Sequence, residues 1–203
     1  MKLYGEDNPA PNPRRVRIFL AEKGLTLEQE RVPLRERAHK ASAFLEKNTL
    51  GQVPVLELDD GSYLSESVSI CRYLEGLHPT PPLFGVSPKE QAVIDMWIRR
   101  IELQLMMPIA HIWRHTHPLT ASLLTQFTDF GESNRAHVER AYRWLDTELA
   151  DREFIAGDAY SMADIIAQTT ADFGRFIGVS VPEDCAAVQA WLTRVTDRPS
   201  ATA

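Results

Sequence analysis

The period of the apolar positions changes along the chain. Lys2-Leu3-Tyr4 reads as a short first strand, and a loop runs from Gly5 to Pro13. Val16, Phe19 and Leu20 then recur at helical spacing. Asn12 suits the N-cap of that helix, Pro13 suits its first position, and Gly24 ends it. Thr26 to Val32 is a second strand candidate, and Ala38 to Lys47 a short helix anchored by Phe44 and Leu45. Val55 to Leu58 is an apolar strand, Asp59-Asp60-Gly61 a hairpin turn and Tyr63-Leu64 the return strand. Ser65-Glu66-Ser67 opens the next helix, so the order is β-α-β-α-β-β-α, a small α/β domain.

His78-Pro79-Thr80-Pro81-Pro82 breaks that helix, because three prolines cannot continue it. The expected division is a first domain over 1–77, a proline-rich linker over 78–87 and an all-helical domain over 88–203. Val93, Trp97, Ile101 and Leu105 form one helix face, and Pro108 is expected to kink or end that helix. Val138, Ala141, Tyr142, Leu145 and Leu149 mark another helix. Ser161-Met162-Ala163-Asp164 is a capping-box variant opening a helix through Ile165, Ile166 and Phe173. Val188, Trp191, Leu192 and Val195 mark the last.

The chemistry concentrates between Asn48 and Ser67. Pro54 cannot donate to a ladder, so at a strand start it favours a bend or a cis bond and leaves neighbouring backbone for other partners. Ser67 offers a hydroxyl at a helix start, where N-terminal amides attract a carboxylate. Together these make a cradle for an extended, peptide-like anion.

Gly51-Gln52-Val53-Pro54 followed by Glu66-Ser67 resembles the glutathione-binding half of the soluble glutathione S-transferases, and Gly157 to Asp164 resembles the segment capping the central helix of their second domain. The resemblance implies a thioredoxin-like first domain and an electrophile site between it and the helical domain. It implies that the Val53-Pro54 cis pair meets the cysteinyl backbone of glutathione and that Glu66 and Ser67 hold its γ-glutamyl end. His39, and Gln52 where some classes place Lys or His, would reach the glycine end. The implied reaction is attack of glutathione thiolate on a small hydrophobic electrophile, with glutathione as co-substrate and a cytoplasmic homodimer as the usual form. Met106, Met107, Trp113 and His115 fall where the family lines its electrophile site.

One departure matters. The family places Ser or Thr before Pro-Asn in bacterial-type loops, and here that position is Ala10. The loop from Gly5 to Pro13 holds no Ser, Thr, Cys or Tyr. Thiol activation would then fall to the Asn12 amide, to Tyr4 at the strand end, or to backbone amides at the helix start. The departure keeps two alternatives open: glutathione-dependent disulfide reduction or peroxidase chemistry, and a non-catalytic glutathione or ligand-binding module.

Composition narrows the classes. A net charge of −6 argues against nucleic-acid binding, and no apolar run is long enough to span a membrane. Cys71 and Cys185 are far apart and read as buried core thiols, which suits a reducing compartment. His111, His115 and His117 lack a carboxylate or thiol at ligand spacing, so no metal is expected. Arg14, Arg15 and Arg17 read as a solvated helix face that helps draw an anion inward.

Overall fold

The structure, a computed structural model, describes every residue except Asn8. It contains two compact units, Met1–Leu83 with Thr202–Ala203, and Phe84–Ala201.

The first unit is built on a four-stranded mixed sheet of order β2-β1-β3-β4, from β1 (Lys2–Gly5), β2 (Glu28–Arg31), β3 (Val55–Glu57) and β4 (Tyr63–Ser65). β1 runs parallel to β2, with Leu3 opposite Gln29, and antiparallel to β3, with Tyr4 opposite Val55. β3 and β4 form the expected hairpin, Val55 opposite Ser65. The β2 edge, Glu28-Gln29-Glu30-Arg31, is exposed throughout, and its charges blunt edge-to-edge pairing.

The predicted order β-α-β-α-β-β-α is the observed one, with two local corrections. The helix expected over 38–47 is a 3₁₀ turn at Ala38–Lys40 followed by the short α2 (Ser42–Leu45). The first helix, α1 (Pro11–Glu22), begins earlier than expected, so its cap is Ala10 and not Asn12. Pro11 supplies the fixed φ that suits a first helical position, which moves Asn12 into the first turn and Pro13 after it.

α1 packs against α3 (Ser67–Leu77). At the far end of this pair the Lys23 side chain is fully buried, and its Nζ meets Glu75 Oε2 at 2.5 Å. The same amine donates to the carbonyl of His78 at 2.9 Å and to that of Pro81. A buried lysine needs such a full set of acceptors, and here they tie the end of α3 to the proline-rich segment after it.

The second unit is helical. α4 (Pro88–Ile101) starts on a capping box: Ser87 Oγ accepts from Glu90 N–H at 3.2 Å, and Glu90 accepts from Ser87 N–H at 2.9 Å. Beyond Ile101 the helix does not end at Pro108. It widens into a π segment, Glu102–Met106, and resumes as α5 (Met107–Thr116). Pro108 lacks an N–H and its ring crowds the carbonyl four residues back in a regular α-helix, and the wider turn accommodates both. There the Met107 N–H donates five residues back, to Glu102.

α6 (Thr128–Leu149), α7 (Met162–Phe176) and α8 (Ala186–Thr196) complete the bundle. α7 is buried along nearly its whole length. Its Asp164 is fully buried and accepts four hydrogen bonds: from Ile155 N–H (2.8 Å), Ser161 N–H (2.9 Å), Ser161 Oγ–H (3.0 Å) and Trp191 Nε1–H (2.9 Å). Burial pushes this carboxyl above its ordinary range, against the pull of those four donors.

Candidate functional site

Strand directions gather the candidate residues of the first unit. β1 ends where β3 begins, because the two are antiparallel, and β4 ends beside the start of β3. The loop into α1, the turn into β3 and the step from β4 to α3 therefore share one edge of the sheet. Asn12, Val53, Pro54, Glu66 and Ser67 lie on those three junctions. One step beyond the pair Val55–Ser65, the same register sets Pro54 beside Glu66.

The Val53–Pro54 peptide is cis. The turn ahead of it is held by side chains that the sequence pattern did not single out. Asn48 Nδ2 donates to the Gln52 carbonyl at 2.9 Å, and its Oδ1 accepts from Leu50 N–H at 3.1 Å. Lys40 Nζ donates to the carbonyls of Leu50 and Gly51, both at 2.9 Å. Gly51 has φ +56°, and a Cβ there would lie 2.5 Å from the His39 carbonyl oxygen, so both the backbone and the close approach require glycine. An asparagine three residues before a glycine was the available signal for this turn.

The same contact brings His39 against the turn carrying Gln52. Gln52 is exposed, while His39 is half-buried with an Nδ1 that meets no hydrogen-bond partner among the described residues. Burial lowers the His39 pKa, with Lys40 and Arg37 adding to the effect, so its neutral form is favoured.

At the start of α3, Glu66 is exposed with φ +68°, a strained conformation for a residue with a side chain. Ser67 follows as the first residue of the helix, and it is 5% exposed. Its Oγ accepts from Arg15 Nη1 at 3.4 Å. Arg15 is itself 2% exposed, which corrects the expectation of a solvated arginine face. Its phase, four residues before Phe19 and one before Val16, was the signal that it belongs to the buried side of α1.

Asn12 lies in the first turn of α1 and is half-buried. Because Ala10 holds the cap position, the Asn12 amide is not consumed by capping, and its side chain makes no hydrogen bond with the described residues. Pro11 and Pro13 have no N–H, so in this turn Asn12 carries both a side-chain donor and a main-chain donor without an intrahelical acceptor. Tyr4 is placed differently. Its ring packs with Val32, Phe44 and Val55, and its hydroxyl donates to Glu57 Oε2 at 2.6 Å. That bond, with burial, raises the Tyr4 pKa, so the hydroxyl is committed within the sheet face.

Glu6 fixes the loop into α1. Its carboxylate accepts from Leu34 N–H at 2.8 Å and Arg31 Nε at 2.7 Å, and its carbonyl accepts from Arg17 Nη1 at 2.9 Å. Burial pushes this carboxyl up, but the Leu34 N–H, the Arg31 guanidinium and the Asp7 N–H together hold it below its ordinary value. A depressed carboxyl stabilises the fold fully above the unfolded pKa of about 4.3 and loses that contribution as pH falls through the lower folded value. Glu6→Gln should therefore narrow its stability gap to the wild type as pH falls from 6 to 3. Urea unfolding across that range reads the gap, and a constant gap would remove Glu6 from the account.

The four residues expected to line an electrophile site lie in the second unit, and they divide. Trp113 joins an aromatic cluster with His117 (ring centroids 4.3 Å apart), Phe173 (5.5 Å) and Phe176 (6.1 Å). Met106, seven residues before Trp113, shares its side of the helix, while Met107 is exposed one position round. His115 turns instead toward the start of α6. Its Nδ1 accepts from Phe127 N–H at 3.3 Å, and its ring meets Phe127 and Phe130. His111 likewise faces α6, at Asn134 and Phe130.

Residues 10–77 match the family model described as the glutathione S-transferase N-terminal domain, and residues 128–199 match that of the C-terminal domain. Glutathione S-transferase 2 of Saccharomyces cerevisiae is 40% identical over 204 residues, covering 98% of this chain and 88% of that protein. The crystal structure of Gtt2 from Saccharomyces cerevisiae superposes with a TM-score of 0.94 at 38% identity, over 100% of this chain and 99% of the other. A glutathione S-transferase domain-containing protein of Marinobacter aquaeolei VT8 gives 0.94 at 39% identity, over 99% of this chain and 100% of that one.

Proposed function

The chain belongs to the glutathione S-transferase family and is a glutathione transferase; from that premise we propose a division of labour among its residues. Val53 offers its main chain to the cysteinyl unit of glutathione, next to the cis Pro54. Glu66 and Ser67 hold the γ-glutamyl end at the start of α3, where helix amides and the buried hydroxyl favour a carboxylate. His39 and Gln52 receive the glycine end; they stand together on the Gly51 turn, and both act as neutral donors. Asn12 donates to the sulfur.

A free thiol of pKa about 8.5 is only a few per cent ionised at neutrality, and donors aimed at the sulfur favour the thiolate. The thiolate then attacks a small hydrophobic electrophile, forming the carbon–sulfur bond as the leaving group departs with its electron pair; the thiol proton goes to solvent. Within the second unit, Met106 and Trp113 are proposed as an apolar surface for such a substrate, with Met107 beside them and His115 on the α6 side. No step draws on a metal. The observation that carries this reading is a pair of donors on Asn12 without an acceptor among the described residues, at the sheet edge that also bears Pro54 and the strained Glu66.

The test is turnover with a panel of aromatic halides and a hydroxyethyl disulfide. Conjugation of the halides supports the reading. Turnover of the disulfide alone moves it to glutathione-dependent reduction, and tight glutathione binding without turnover moves it to a ligand-binding module, which the hydroxyl-free loop around Ala10 favours. Ser67→Ala should weaken glutathione binding by about 1.5–3 kcal/mol, the value of a hydrogen bond to a charged group. Isothermal calorimetry reads this directly, and an unchanged affinity removes Ser67 from the site. The working form is taken to be a cytoplasmic homodimer, which light scattering on the purified chain would test for assembly.

A further inference from the structure

We infer that Arg15 is a positioning residue for the carboxylate of the bound peptide, acting through Ser67. The inference rests on the proposed role of Ser67 and extends it to a residue that does not itself touch the ligand.

Hydrogen-bond direction decides what the Ser67 hydroxyl can do. A guanidinium has donors and no acceptor. The 3.4 Å contact between Arg15 Nη1 and Ser67 Oγ therefore has one sense: arginine donates and serine accepts. The hydroxyl has a single proton, and it cannot be spent on Arg15. Ser67 is 5% exposed, and no other side chain or carbonyl among the described residues accepts that proton. A nearly buried hydroxyl is thus left with its proton undirected by the protein, at the first residue of an eleven-residue helix.

Both groups at this point favour the same kind of ligand atom. A hydroxyl that accepts from a cation is polarised and becomes a better donor on its other side. The N-terminal amides of α3 carry partial positive charge toward the same place. An anionic acceptor, such as the α-carboxylate of a γ-glutamyl residue, matches both. The strained φ of Glu66 sets the backbone immediately before Ser67, which fixes where the hydroxyl can project. Arg15 is rigid enough for the task, because its side chain runs through the packed interface of α1 and α3 at 2% exposure.

The experiment compares two ligands, glutathione and an analogue lacking the α-carboxylate of its γ-glutamyl residue. Calorimetric affinities are measured for the wild type, Ser67→Ala, Arg15→Met, Arg15→Gln and the double variant Arg15→Met/Ser67→Ala, each first checked for cooperative melting. The wild type should prefer glutathione by about tenfold or more, as expected for one charge-assisted hydrogen bond. Ser67→Ala and Arg15→Met should each lose most of that preference while binding the analogue as before. The double variant should be no worse than either single one, because both remove the same interaction. If Arg15→Met does not fold, Arg15→Gln carries the test; it keeps a donor but not the charge, so its preference should fall between wild type and Ser67→Ala. Arginine variants that keep the full wild-type preference, or that weaken both ligands equally, overturn the inference while leaving Ser67 in place. A wild type without preference, or Ser67→Ala with it intact, overturns the role of Ser67 itself.

Discussion

Asn12→Ala should lower turnover by about a hundredfold, the typical cost of removing one donor aimed at developing negative charge. The sign of the accompanying change follows from the same donor. An N–H directed at sulfur stabilises the thiolate, so its loss raises the pKa of bound glutathione and lowers the ionised fraction at neutrality. Substrate affinity should move little, because the peptide is held elsewhere. The helix itself should also be indifferent, since the cap position belongs to Ala10 and no capping bond is lost. This separation makes the test clean: thiolate absorbance is followed against pH for wild type and variant, with melting as a control. A hydroxyl enzyme would have spare donors nearby, but Pro11 and Pro13 have removed two of the amides that this helix start would otherwise offer. An unchanged thiol pKa in Asn12→Ala would assign activation to the remaining main-chain N–H of Asn12.

Asp164→Ala should cost about 3–5 kcal/mol of stability, the largest effect expected of a single substitution in the second unit. The carboxylate accepts from four donors contributed by the segment before α7, the cap of α7 and the indole of Trp191 on α8. Removing it leaves two main-chain N–H groups and an indole N–H buried without acceptors, and each costs about 1–3 kcal/mol before relaxation. Asp164→Asn should recover only part of this, because its NH₂ would point at groups that are themselves donors. Ser161→Ala should lose much less, since the Ser161 main-chain N–H remains bonded. Equilibrium urea unfolding ranks the three variants, and an Asp164→Ala loss below about 1 kcal/mol would falsify the claim that this carboxylate organises the bundle.

The capping box at Asp164 was legible in the sequence because all of its information is local: a serine, a carboxylate three residues on, and an apolar run behind them. The order of elements in the first unit was legible for a similar reason, since the hairpin at Asp59-Asp60-Gly61 and the break at Gly24 are set by short-range backbone chemistry. Asn12 and Arg15 show where such reading stops. Cap statistics favour Asn12, yet the fixed φ of Pro11 starts the helix two residues earlier, and this takes the asparagine out of the cap. Charge suggests that Arg15 faces water, while its helical phase places it among Val16 and Phe19. Only the partner helix, which contributes Ser67 from 52 residues away, decides between the two. The surroundings of Trp113 and His115 were legible as a helix but not as a surface, because the helix turns the two rings to different neighbours.

That division is controlled by the π segment at Glu102–Met106, which itself lies a full turn or more before either ring. A π segment holds one residue more than the α-helical stretch it replaces. Each residue of an α-helix advances the azimuth by about 100° and the axis by about 1.5 Å. The extra residue therefore works as a dial: it sets which side chains of Met107–Thr116 meet α7 and which meet α6, without altering any of them. In a lineage of such proteins, a one-residue insertion or deletion at this point would turn every side chain of Met107–Thr116 by about 100° and so exchange the residues facing each neighbour in a single step. The same exchange by substitution would take several coordinated changes.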